Sequence, residues 1–159
     1  MEEKHTRDFR GKIWINGERK EEWIYGAYLN HLAVIPYPTT PVAEHKRKHL
    51  IIRSGFSDWG MDCPLQALEV DPKTVSRMSS LRDVNGEPVY FDTDIVKITS
   101  LDLAGNVVED VLILKEDNCG RSVAENHWSN PLIANWKGTT LEVIGNTIDN
   151  PELIEKYNL

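Results

Sequence analysis

Residues 81–98, LRDVNGEPVYFDTDIVKI, constrain the fold more than any other stretch. Asn85-Gly86 marks a turn, because asparagine and glycine tolerate the positive φ that other residues avoid. Short apolar runs flank it at 81–84 and 88–91, and Asp83, Glu87, Asp92 and Asp94 make this the densest local group of carboxylates. Two β-branched runs follow, 95–103 and 107–114, separated by Ala104-Gly105-Asn106. Apolar runs broken by tight turns build antiparallel sheet.

The rest of the chain reads the same way. Residues 11–17, GKIWING, end a short apolar run at Asn16-Gly17. In residues 21–29, Trp23, Tyr25, Ala27 and Leu29 alternate with Ile24, Gly26 and Tyr28, which predicts a strand with one well-buried face. The two runs form a hairpin whose loop, 17–20, is longer than a two-residue turn. Pro36, Pro38 and Pro41 interrupt the sheet, since proline donates no ladder hydrogen bond. Residues 38–49 are expected as a long loop with a basic tip, 49–53 as a strand, and 54–64 as an ordered loop anchored by Phe56 and Trp59. A short strand at 67–70 stops at Asp71-Pro72. Residues 73–81 alternate too weakly to assign. Further strands are expected at 119–124 and 139–144, the second closed by Gly145-Asn146. Asp149 or Asn150 followed by Pro151 and Glu152 marks a helix start. The expectation is about eight short strands, one short C-terminal helix and no long amphipathic helix.

The chain has 159 residues, 40% apolar and 27% charged, which suits a globular domain or two small subdomains. No apolar run approaches the roughly 20 residues of a transmembrane helix. The N-terminal MEEKHTRDFRGK is charged throughout, which predicts no signal peptide and a cytoplasmic location. There Cys63 and Cys119 are expected as reduced thiols. Residues 1–80 carry 12 Lys/Arg against 11 Asp/Glu, whereas residues 81–159 carry 6 against 14. An acidic body repels phosphate and disfavours broad nucleic-acid binding.

Several groups could carry chemistry. Asp92 and Asp94, two apart, would share a face in a strand and could hold Mg²⁺ or serve as acid and base. The plainer reading is a polar turn whose carboxylates accept backbone N–H groups, with Asp94, Asn85, Gly86, Gly145 and Asn146 as turn residues. His45 and His49 have the i, i+4 spacing of a helical metal pair, but Lys46, Arg47 and Lys48 between them favour a solvated basic loop. Cys63, Cys119 and His127 show no zinc-ligand spacing. No nucleophile motif or phosphate-cradling loop is present. Five tryptophans are many for this length. Trp14 and Trp23 lie in strand patterns and are expected in the core, whereas Trp59, Trp128 and Trp136 lie in irregular segments and are the better interface candidates.

Three separated blocks resemble the YopX family of phage and prophage proteins of Gram-positive bacteria. Phe9-Arg10-Gly11-Lys12 with Glu22-Trp23-Ile24-Tyr25-Gly26 is similar to its FRGK…GEWVYG. Val70-Asp71-Pro72-Lys73-Thr74-Val75, leading into 81–96, is similar to V-x-P-E-T-V and GLKDKNGKEIYEGDIV. Residues 141–153, LEVIGNTIDNPEL, are close to EVIGNIYENPEL. Two departures stand out. Met78-Ser79-Ser80 replaces Tyr-Thr-Gly, and Asp92-Thr93 replaces Glu-Gly. A β-branched Thr93 would be strained if that glycine is needed for positive φ.

The resemblance implies a mainly β, YopX-like fold with an SH3-like small barrel, and no enzyme activity, cofactor or metal. The expected organisation is an N-terminal β subdomain, 1–80, and an SH3-like subdomain, 81–159, or one compact unit of both. The expected role is that of a phage accessory protein in the bacterial cytoplasm, binding an unidentified protein partner or itself, with no membrane. The candidate surface is Trp59, Trp128 and Trp136 with His45, Lys46, Arg47, Lys48 and His49. The alternative is nucleic-acid binding through 45–49.

Overall fold

The structure is a computed structural model and describes residues 8–32, 47–55, 65–102, 104–116, 122–124 and 139–159. Trp59, Trp128, Trp136, His45, Lys46, Cys63, Cys119 and His127 lie outside these. The chain divides into two compact units, Met1–Val75 and Ser76–Leu159.

The first unit is an antiparallel meander. Its strands are β1 (Phe9–Ile15), β2 (Glu18–Leu32), β3 (Arg47–Ser54) and β4 (Leu65–Glu69), in the order β4-β3-β2-β1. The β1–β2 connection is tighter than the sequence indicates. Ile15 pairs with Glu18, and Asn16 and Gly17 have φ of 54° and 83°. Positive φ at both central residues is the two-residue turn whose twist matches a hairpin, so residues 18–20 are strand rather than loop. Ile13, Ile24, Ile51 and Val70 form the core, with Leu68 and Val75 packed against it. Gly26 is required by the close approach of β3: a Cβ there would lie 2.1 Å from the Ile52 carbonyl oxygen.

After β4 a single turn of 3₁₀ helix, Pro72–Thr74, returns the chain to β1. The Lys12 N–H donates to Thr74 Oγ1 at 2.8 Å, and the Thr74 hydroxyl donates to the Asp71 carbonyl at 2.8 Å. The Asp71 N–H donates to the Lys12 carbonyl at 2.9 Å, and Ile13 bridges to Val70. Each such bond contributes about 1 kcal/mol net, and more would be lost by leaving these groups buried and unpaired.

The second unit holds a ribbon of β5 (Ser76–Arg82) and β6 (Pro88–Tyr90). It also holds a sheet of β7 (Asp94–Leu101), β8 (Val107–Glu116), β9 (Ser122–Ala124) and β10 (Thr140–Asn146), ordered β10-β7-β8-β9. Its core is Val89, Phe91, Val96, Ile98, Leu112, Leu114 and Leu141. The fold is mainly β, as expected, with ten strands among the described residues rather than eight. The sheets are not closed into a barrel.

The β5–β6 and β7–β8 loops share one design. In the first, the Gly86 N–H donates to the Asp83 carbonyl, the Asp83 N–H to the Glu87 carbonyl, and Gly86 has φ 84°. In the second, Gly105, Asp102 and Asn106 repeat these bonds, with Gly105 at φ 86°. This is a turn followed by a left-handed glycine that forms a bulge, a three-residue hairpin loop. Asn85-Gly86 is therefore a turn, but only its glycine takes positive φ.

At the C-terminus, helix α1 (Pro151–Tyr157) follows β10 as the sequence predicts. Asn150 occupies its N-cap, yet its side chain makes no capping bond. The Asn150 Oδ1 instead accepts the Asn146 N–H at 3.2 Å, while the Asn146 Oδ1 accepts the N–H groups of Ile148 and Asp149. Leu153 packs on Gly145, where a Cβ would sit 2.6 Å from Leu153 Cδ1.

Gly26→Ala is expected to destabilise the protein by about 3 kcal/mol or more, because the new methyl meets backbone that cannot rotate away. Gly17→Ala has open space around its Cβ and should cost only about 1 kcal/mol, for the left-handed φ. Urea denaturation of both variants measures the difference.

Candidate interaction surface

The paired acids lie in different surroundings. Asp92 has φ 62° in the turn before β7; its side chain is 63% exposed and lies 3.6 Å from Lys115 Nζ. Asp94 is 1% exposed, and its Oδ2 accepts the Tyr90 N–H at 2.7 Å. One carboxylate faces solvent and the other is a buried structural acceptor, so the shared face expected of a regular strand is absent. The left-handed residue is Asp92, not Thr93. Thr93 is buried without positive φ, its hydroxyl donates to Ser76 Oγ at 3.0 Å, and its carbonyl accepts the Thr147 N–H. The loss of the family's glycine is thus accommodated without strain at that position. Among the described residues no three His, Cys, Asp or Glu side chains converge as a metal site.

The basic segment also differs from expectation. Arg47, Lys48 and His49 belong to β3, not to a loop tip. Strand alternation sends Lys48 to one face of the sheet and Arg47 and His49 to the other. Lys48 pairs with Glu69 at 3.1 Å, and Arg47 reaches Asn30 Oδ1 at 3.5 Å. His49 stacks on Tyr28 and hydrogen-bonds its hydroxyl through Nδ1, and Tyr28 in turn packs against Phe9. Burial pushes the Tyr28 phenol above its ordinary 10.0. His49 thus lies in a strand, and His45 lies outside the described residues.

Cross-strand pairing identifies a different surface. Residues directly opposite in a ladder share a face. Ala27 pairs with Ile52 and Ile52 with Ala67; Leu29 pairs with Leu50. Tyr25, Ala27 and Leu29 lie on the face of β2 opposite to Ile24 and Gly26, which face the core. This outer face is apolar and open: Tyr25 is 37%, Leu29 43% and Leu65 78% exposed. At the β1 side of this face Arg10 and Lys12 are buried. Arg10 pairs with Tyr25 in register and lies 4.6 Å from the Trp23 ring; Lys12 pairs with Trp23 and reaches Glu21 at 2.9 Å; His31 pairs with Lys48. Trp14 and Trp23 are half-buried rather than core residues. Trp23 instead presents its ring to two cations, an electrostatic use of an aromatic face.

Sequence reasoning missed Tyr25, Leu29 and Leu65 as surface residues. The signal was available in residues 21–29, where both phases of the alternation are apolar. A sheet with one face in water alternates apolar with polar.

A family model described as YopX protein matches residues 18–155. No curated protein and no solved structure matches the chain.

Asp94→Ala removes the acceptor from a buried N–H and should cost about 2–3 kcal/mol, whereas Asp94→Asn retains an acceptor and should cost less; urea midpoints separate them. The two hairpin acids make a pH prediction. At Asp83 desolvation is the largest single contribution and opposes ionisation, but bonds from the Asn85 side chain and from the N–H groups of Glu87, Asn85 and Gly86 together outweigh it. At Asp102 the Asn106 side chain is the main cause, with N–H groups of the same loop adding to it. Both carboxyls are held below the ordinary 3.8. Groups depressed on folding contribute stability that is complete above the unfolded value and lost as pH falls through the folded one. Melting temperature should therefore fall less between about pH 5 and pH 2 in Asp83→Asn/Asp102→Asn than in the unmodified chain.

Proposed function

We propose, from the premise that this chain belongs to the YopX family, that it is a non-enzymatic binding protein that acts through protein–protein contacts. The observation that carries this reading is the open apolar face of β2, β3 and β4, with Tyr25, Leu29 and Leu65 exposed and the Lys48–Glu69 ion pair at its edge. Contiguous apolar surface rimmed by polar groups is characteristic of interaction sites. Tyrosine is enriched where binding energy concentrates. The carboxylates that could have done chemistry are occupied otherwise, Asp94 by a backbone N–H and Asp92 by solvent and Lys115. The phage or prophage setting and the bacterial cytoplasm belong to this proposal through the family resemblance. So does the SH3-like character of the second unit, here with an open sheet, although a fold by itself assigns no function. Nucleic-acid binding by residues 45–49 is the weaker reading, because in β3 Lys48 lies on the face opposite to Arg47 and His49.

The test is site-specific photo-cross-linking in the bacterial host. A cross-linking residue at position 65 should capture a discrete protein partner, and one at Glu22, exposed on the other phase of β2, should not. Equal capture from both positions, or none from either, would remove the face from consideration.

A further inference from the structure

Two asparagine–glycine pairs have nearly the same flanking sequence but different surroundings. They are Ile15-Asn16-Gly17-Glu18 and Val84-Asn85-Gly86-Glu87. An asparagine loses its side-chain amide when the backbone nitrogen of the next residue attacks its Cγ. Glycine in that next position leaves the nitrogen unshielded, since it carries no Cβ. The other described asparagines precede His31, Val107, Thr147, Pro151 and Leu159, whose side chains crowd the nitrogen.

The fold holds the second pair in place. The Gly86 N–H donates to the Asp83 carbonyl at 3.0 Å. The Asn85 N–H donates to Asp83 Oδ1 at 2.8 Å, and Asn85 Nδ2 donates to Asp83 Oδ2 at 3.1 Å. Attack requires both the carboxamide and the Gly86 peptide to turn, which breaks bonds made by each. The nitrogen reacts as its anion, and the adjacent Asp83 carboxylate disfavours negative charge there. The first pair is held by less. Asn16 and Gly17 form the exposed turn between β1 and β2. Among the described residues no group accepts from the Gly17 N–H, and none bonds the Asn16 side chain. A Cβ at Gly17 would meet nothing within 4 Å, so no neighbouring atom blocks rotation of this peptide.

We infer that Asn16 is a site of spontaneous deamidation in the folded protein, and that the Asp83 loop protects Asn85. The Gly17 nitrogen gives its proton to hydroxide and bonds Asn16 Cγ. The amide nitrogen leaves as ammonia, taking a proton from water, and a succinimide ring closes. Water then adds to one of the two ring carbonyls. Opening at one gives aspartate; opening at the other gives isoaspartate, whose main chain runs through the side-chain carboxyl. One water is consumed and one ammonia released, with no oxidant or reductant. Either product adds a negative charge at neutral pH. Isoaspartate also adds a methylene to the main chain of a two-residue turn closed by the Ile15–Glu18 pair, which loosens the β1–β2 hairpin.

Incubation of the folded full chain in mildly alkaline buffer, followed by peptide mapping with mass spectrometry, tests this. Deamidation at 16 should run about tenfold or more faster than at 85, as expected where more than one hydrogen bond must break before attack. An isoaspartate-specific methyltransferase should label the peptide holding residue 16 first. In guanidinium chloride the two rates should converge, because the flanking residues are nearly the same; convergence assigns the native difference to the fold. Asp83→Ala removes both carboxylate bonds and should raise the rate at 85 without changing that at 16. Circular dichroism checks that this variant is folded, and the denaturant comparison decides alone if it is not. The inference is overturned by equal native rates, by faster reaction at 85, or by a difference that persists in denaturant. It is equally overturned by an Asn16 that reacts only in the unfolded chain, or by a folded Asp83→Ala protein whose rate at 85 is unchanged.

Discussion

A fold made of short strands has many strand ends, and each end leaves backbone N–H groups without a ladder partner. Those groups need acceptors, because an unpaired buried donor costs about as much as a whole hydrogen bond contributes. This chain meets the need with short acidic and amide side chains. Asp71 accepts the Lys73 N–H at the 3₁₀ turn, and Asp83 and Asp102 accept two N–H groups each in their loops. Asp94 accepts from Tyr90 before β7, and Asn146 accepts from Ile148 and Asp149 after β10. Part of the net charge of −7 is thus turn chemistry. That explains an acidic protein with paired carboxylates better than metal binding does, since at each corner the oxygens already have donors.

The same account covers the residues that mark the family. In the first block, Phe9 lies opposite Gly26, Gly11 opposite Ile24 and Lys12 opposite Trp23, so the two halves of the motif are the two sides of one hairpin. Gly11 has Val70 and Ile51 against it, and Gly26 has the Ile52 carbonyl. The second block ties Asp71 and Thr74 to the backbone of Lys12 and then sets Asp83 and Asp94 in their turns. The third places Gly145 under Leu153 and joins Asn146 to Asn150. Most of these residues serve the backbone, with the surfaces left to neighbouring positions.

How much of this could be read beforehand follows from how local each cause is. The short strands, the hairpin over 95–114 and the terminal helix were legible because turn residues and β-branched runs act within a few residues of themselves. The Asn16-Gly17 turn was legible in type but not in length, since Glu18-Arg19-Lys20 looks like a loop and becomes strand only when paired with β1. Arg47 and Lys48 likewise look solvated, and they are strand because β2 extends to meet them. Asn150 carries a capping residue's identity, but Asn146 competes for its oxygen, a choice no local pattern reveals. Thr93 seemed the strained position because a glycine was expected there; the backbone puts its left-handed residue one place earlier, at Asp92, which tolerates it better than a β-branched residue would.

The exposed apolar residues have no such explanation in the fold. Tyr25 and Leu29 face away from Ile24 and Ile51, and Leu101 and Val107 extend past the strands that would cover them. Polar side chains at such positions would change stability by only about 0.5 kcal/mol either way, so folding does not require apolar ones. Exposed apolar area also raises the risk of nonspecific association. Neither the turn chemistry nor the core packing uses these side chains.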